Sequence, residues 1–256
     1  MKTLLGTQPA LRLRQQDLAR LEPRIWFNDI VMDYGLRFQH AAHVSYSYFS
    51  QALRRHQLSE APLHKIWVFS TFFYAKLTAK GYTAVASWSK RWDVFAQDII
   101  VIPVHKSYHW SMIIVSKPWA SIVPIRSSVE DDSSSRTQIL SMDSLGGQQK
   151  VACMTVADWL HNVAIPLLGN KQWKNPVSRH IQVPEQPNIY DCGPYSIHIL
   201  SRFLMHSERI CGMDIQLGSM EWDRIWQPNL AQHMRTSLRQ QIRLRSRVPD
   251  TPLLIA

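Results

Sequence analysis

Asp191-Cys192-Gly193-Pro194 stands directly before a run in which Tyr195, Ile199 and Phe203 recur at helical spacing. Aspartate is a good N-cap, and glycine and proline suit a first turn whose N–H groups have no intrahelical partner. Cys192 is therefore expected at a helix N-terminus, the end of the macrodipole that favours a thiolate. A thiolate nucleophile needs a base, a group that orients the base, and donors for an oxyanion. The sequence offers one of each. His109 opens the apolar run HWSMIIV, and Asp143 closes LSMD just before Ser144-Leu145-Gly146-Gly147, so paired strands would set its carboxylate beside the imidazole. Gln186 lies six residues before Cys192, near enough for its side-chain N–H to join the Cys192 amide around an oxyanion. Taken singly, each has a plainer reading. A cysteine is most often a small buried hydrophobe, one histidine among eleven is most often a core or surface residue, Asp143 also suits a turn cap, and Gln186 a loop.

These residues need elements to carry them. Ile99 to Val104, Trp110 to Val115 and Ile139 to Met142 are apolar runs of strand length and predict a sheet. Residues 17 to 58 read as helical, with Asn28 or Asp29 as cap, and 155 to 168 as helical up to the proline. Ser178 to Val183 reads as a short strand. IWVFSTFFYAKL (66 to 77) is dense in aromatic and β-branched residues and is read as a buried helix. KPWASIVPIRSSVEDDSSSRTQ (117 to 138) is read as an inserted mobile surface loop. Helices, then strands, then helices give an α+β order and not a doubly wound sheet.

The chain of 256 residues, 45% hydrophobic with ten tryptophans, supports a real core. Its three cysteines, Cys153, Cys192 and Cys211, form no CxxC, which argues against a disulfide framework or structural zinc and for a reducing, intracellular setting. No membrane-spanning run or apolar leader is visible. A net charge of +10 points to an acidic partner. MRTSLRQQIRLRSRV (234 to 248) is expected to be a docked helix with a solvated arginine face. Direct nucleic-acid binding has no stacking or recognition motif to support it.

Five motifs in register carry a resemblance: WFND at 26 to 29, TFFYAKL at 71 to 77, SKRWDVFAQDIIVIPVHKSYHW at 89 to 110, MDSL at 142 to 145 and QPNIYDCG at 186 to 193. The set resembles the ubiquitin-like-protein (SUMO, sentrin)-specific cysteine proteases across roughly residues 17 to 245. The resemblance implies a papain-like α+β fold with a central mixed sheet, flanking helices and the catalytic cysteine at a helix N-terminus. It implies Cys192 as nucleophile, His109 as base and later acid, Asp143 as orienter and Gln186 as oxyanion donor. Trp26 and Trp110 would line a narrow tunnel over the Gly-Gly tail of the substrate.

The implied activity is hydrolysis after the terminal glycine of a SUMO-type modifier, with no cofactor and no metal. The partners would be that modifier and its conjugates, met by a monomer away from membranes, in the nucleus before the cytoplasm. Residues 1–16 would form a lead-in, 17–248 the catalytic domain with 117–138 inserted, and 249–256 a tail. The TFFYAKL and WDVFAQD wording and the insertion look more like the chain-trimming branch. A protease for a Nedd-type modifier would keep every catalytic residue, an idle modifier-binding module would not need them, and related acetyltransferases lack the paired tryptophans. Phe27 replaces the family's usual leucine and is expected to alter the tunnel wall. Pro194 stands where an aliphatic residue is usual, and Gly35 is expected to weaken the first helix by about 1 kcal/mol.

Overall fold

Strands covered on both faces read as unbroken apolar runs, and the chain supplies them. The computed structural model describes residues 11–54, 65–90, 92–125, 136–212 and 219–246. Two compact units divide the chain, one formed by Met1–Leu63, Pro184–Ser207 and Ile215–Ala256, the other by His64–Val183 and Glu208–Asp214.

The second unit holds a mixed five-stranded sheet. Its strands are β1 (Ile66–Val68), β2 (Ile99–Lys106), β3 (His109–Ser116), β5 (Gln138–Met142) and β7 (Val177–His180), in the order β1-β2-β3-β5-β7. β2, β3 and β5 are antiparallel neighbours, whereas β1 and β7 run parallel to theirs. One face packs Ile100, Ile102, Ile113 and Ile139 against Phe73 and Leu77 of α3 (Phe72–Lys80) and Val156, Trp159 and Leu160 of α4 (Lys150–Ala164). β1 ends opposite Val101, two residues short of Pro103, so the missing proline N–H removes no bond to β1.

Two expectations need correction in this unit. Residues 66 to 77 are not one helix: Ile66-Trp67-Val68 pairs in parallel with Ile99-Ile100-Val101, and α3 begins after Ser70, whose carbonyl takes the Phe73 N–H. The β-branched end of the run found a strand partner more than thirty residues away, a pairing that periodicity does not report. The 117 to 138 segment is built into the structure at both ends. Residues Pro118–Ser121 form a 3-10 turn, β4 (Ile122–Pro124) pairs with β6 (Lys171–Trp173), and the Thr137 hydroxyl donates to the Lys117 carbonyl at 2.7 Å. Residues 126–135 lie outside the described residues.

The first unit is helical: α1 (Gln15–Leu18), α2 (Asp29–Arg54), the N-terminal part of α5 (Cys192–Gly212), α6 (Ser219–Trp226), α7 (Pro228–Ala231) and α8 (Met234–Ser246). α5 leaves helical geometry at His206 (φ −128°), next to the division between the units at Ser207 and Glu208. Arg202, buried on α5, donates to the Ile225 and Arg224 carbonyls and so closes the C-terminal end of α6. α2 runs unbroken through Gly35, where a Cβ would stand 2.3 Å from Ile197 Cδ1 on α5. On α8, Leu238 and Ile242 are buried as expected, but so is Arg235.

Candidate active site

His109, Trp110 and Asp143 belong to the sheet unit, and Trp26, Gln186 and Cys192 to the helical unit. In the sheet unit, His109 is the first residue of β3 and Asp143 directly follows β5. Met112 pairs with Met142, so the register carried one step further sets Asp143 opposite Ser111, on the face that His109 shares. The two side chains meet, with His109 Nε2 and Asp143 Oδ1 2.6 Å apart.

Asp143 is 3% exposed and accepts two further bonds, from the Leu145 amide at 2.8 Å and from Gln149 Nε2 at 2.5 Å. Burial pushes its carboxyl up, but the bonds from His109, Leu145 and Gln149 and the attraction of the imidazole outweigh it and hold the group below its ordinary value. The carboxylate has only lone pairs to offer, so His109 donates through Nε2 and the neutral ring keeps Nδ1 as its basic nitrogen. The Ser144–Gly147 turn serves this geometry. Gly146 adopts a positive φ of 75°, and a Cβ at Gly147 would stand 2.5 Å from Asp143 Oδ2.

In the helical unit, Cys192 is the first residue of α5 and 1% exposed. Asp191 is at the N-cap position, its carbonyl accepting the Tyr195 N–H at 3.0 Å. Its carboxylate does something the sequence does not suggest. Oδ1 takes a bond from Arg235 at 2.7 Å and Oδ2 one from Asn188 at 2.8 Å. Asn188 Oδ1 in turn accepts the Tyr190 and Asp191 amides, and Gln186 donates its side-chain amide to the Asn188 carbonyl. That bond fixes the amide plane of a residue only 7% exposed.

The two tryptophans differ. Trp26, ahead of α2, is 41% exposed and donates Nε1 to the Ile189 carbonyl at 2.9 Å. Trp110 on β3 is 1% exposed and stacks on its cross-strand partner His105 at 4.2 Å between centroids. Phe27 is buried against Gly193, with the Arg235 guanidinium 4.6 Å from its ring centroid. The leucine-to-phenylalanine departure thus falls at the foot of α5. Sequence reasoning missed Arg235, Gln149 and Asn188. Only Asn188 carries a local signal, an asparagine three residues before an aspartate in a turn. Among the described residues there is no group of three histidine, cysteine or acidic side chains arranged to hold a metal, and no helix long and apolar enough to cross a membrane.

A mixed sheet with flanking helices makes this an α+β fold. The sequence profile of the Ulp1 protease family, C-terminal catalytic domain, matches residues 41–227, and the chain belongs to that family. It is 26% identical to ubiquitin-like-specific protease 2 of Schizosaccharomyces pombe, over 91% of this chain and 40% of that protein. To ubiquitin-like-specific protease 1D of Arabidopsis thaliana it is 29% identical, over 92% of this chain and 40% of the relative. The chain thus spans about two fifths of the length of these relatives. The fold is shared with the crystal structure of a de-sumoylating protease (TM-score 0.69, 21% identity, 90% of this chain and 85% of that one). Trp26 and Arg235 lie outside the matched span.

Proposed function

We propose that the chain is a thiol isopeptidase and endopeptidase that cleaves SUMO-type modifiers after their terminal Gly-Gly, releasing them from target lysines. His109 Nδ1 takes the Cys192 thiol proton, and the thiolate attacks the glycine carbonyl. The oxyanion is met by the Cys192 amide and the Gln186 side chain. As the C–N bond to the lysine Nζ breaks, the imidazolium returns the proton to the leaving amine. Water, deprotonated by the same imidazole, then hydrolyses the thioester. Asp143 holds the ring in the required tautomer and stabilises its cation. Trp26 and Trp110 line the channel for the diglycine tail, where a side chain with a branched Cβ does not fit.

The observation that carries the reading is the 2.6 Å His109–Asp143 pair, its carboxylate buried and locked by Leu145 and Gln149, in a chain of the Ulp1 protease family. The choice of a SUMO-type modifier is supported by relatives named ubiquitin-like-specific and sentrin-specific proteases and by the net charge of +10, which suits an acidic modifier. The enzyme acts as a monomer, in the nucleus before the cytoplasm. A panel of SUMO, Nedd-type and ubiquitin substrates with a fluorogenic C-terminal amide tests the choice. Turnover of SUMO above the others is expected; preference for a Nedd-type modifier would reassign the substrate while leaving the chemistry.

A further inference from the structure

The first turn of α5 has fewer backbone donors than an ordinary helix start. Pro194 has no N–H, and the Tyr195 N–H is bonded to the Asp191 carbonyl, so the Cys192 and Gly193 amides are the donors that face forward. An aspartate at the N-cap ordinarily folds its carboxylate back onto the second or third helical N–H. With proline third, the target here would be Gly193. A carboxylate there would occupy a donor beside the nucleophile and set a negative charge against its thiolate.

Asp191 is held out of that position. Arg235, itself 8% exposed, binds Oδ1 at 2.7 Å while its other nitrogen bonds the Arg20 and Glu22 carbonyls at 2.8 and 2.9 Å. Its guanidinium also lies over Phe27, the residue packed on Gly193. An arginine uses its planar fork this way where lysine, a point charge, cannot. Asn188 on Oδ2 completes the restraint.

We infer that Arg235 is a positioning residue of the active site. It withdraws the Asp191 carboxylate from the α5 N-terminus and so keeps the Cys192 and Gly193 amides open to the substrate oxyanion. The inference rests on the proposed peptidase chemistry for its rate consequence, but not for its structural one.

The test compares wild type, Arg235→Met, Arg235→Lys, Asp191→Ala and the double variant Arg235→Met with Asp191→Ala, each first shown to be folded by thermal melting. In 1H–15N spectra, the Gly193 amide proton should move downfield in Arg235→Met as Asp191 caps it, and return in the double variant. Arg235→Lys, which keeps the cation but loses the fork, should fall between wild type and Arg235→Met. With a SUMO C-terminal fluorogenic amide, Arg235→Met should lose about 10- to 100-fold in kcat at similar KM, the scale of a misplaced reacting group. Adding Asp191→Ala should recover much of that loss, a coupling that two independent structural defects would not give. An unmoved Gly193 resonance, or a double variant as slow as the product of the single losses, overturns the inference. A wild type that turns over no modifier overturns the proposed substrate instead, and the Gly193 resonance then decides the role of Arg235.

Discussion

Asp143→Asn replaces a carboxylate that is 3% exposed and accepts from three donors, His109 Nε2, Leu145 N and Gln149 Nε2. An amide of the same shape offers one oxygen and one NH2 group. If the oxygen takes the Oδ1 position, His109 and Leu145 keep their acceptor, Gln149 must turn its own oxygen inward, and the imidazolium loses its counter-charge. If the NH2 group takes that position, it opposes the Leu145 N–H and forces His109 to accept through Nε2, which moves the ring proton to Nδ1 and removes the base. Bonds to charged groups are worth about 1.5–3 kcal/mol each, and in the better arrangement all three survive only as weaker neutral bonds, so a stability loss of about 1–3 kcal/mol is expected. For a chain of this size that lowers Tm by roughly 2–10 °C. The rate should fall further than the stability, by about 10²- to 10⁴-fold in kcat, because both arrangements damage the same proton transfer. The pH dependence has a definite sign. The folded carboxyl titrates below its ordinary 3.8, so its stabilisation is present above that pH and is lost as pH falls through the folded value. The difference in Tm between wild type and Asp143→Asn should therefore shrink in strong acid. Modifier-amide hydrolysis alongside calorimetry at neutral and acid pH reads both effects. A variant within threefold of wild-type kcat with an unchanged Tm would refute the orienting role and the network together.

Gln186→Ala should lower kcat by about 10²- to 10³-fold with little change in KM, and a loss confined to KM would make Gln186 a binding residue instead. Gly193→Ala should destabilise by about 1–3 kcal/mol, since its Cβ would lie 2.8–3.0 Å from the buried ring and Cβ of Phe27, with partial relief in a Phe27→Leu background; additive losses would count against that contact. Burial, and then the neighbouring His43, push His40 down to about 4. The unfolded chain therefore takes up this proton first, and Tm should fall between about pH 6.5 and 4 and fall less steeply in His40→Gln; equal slopes would show that other groups set the acid limit.

What the sequence made legible was local. Tyr195, Ile199 and Phe203 at helical spacing located the start of α5 at Cys192, and the unbroken apolar runs of β2, β3 and β5 placed His109 and Asp143 at adjacent strand ends. What it hid was non-local or conformational. β1 looked helical because three residues carry no period, and its partner is elsewhere in the chain. β4 was masked by the prolines and serine-rich run around it. Gln149 reaches Asp143 from a left-handed backbone conformation (φ 47°) that no residue type there announces. Arg235 sat in a run of arginines on a helix whose face reads as solvated, yet it bonds a carbonyl 215 residues away. The capping residue itself misled, because Asp191 has the right type and place but its carboxylate is claimed by Asn188 and Arg235.

The central claim is that Cys192 attacks the terminal glycine of a SUMO-type modifier with His109 as its base. The most direct measurement is intact and peptide mass spectrometry after incubation with SUMO, a Nedd-type modifier and ubiquitin, each ending in Gly-Gly and an electrophilic C-terminal group. A single SUMO adduct on Cys192 is expected, absent in Cys192→Ala, strongly slowed in His109→Ala, and weak or missing with the other modifiers. An adduct on Cys153 or Cys211, or one on Cys192 that forms as fast without His109, would contradict the mechanism.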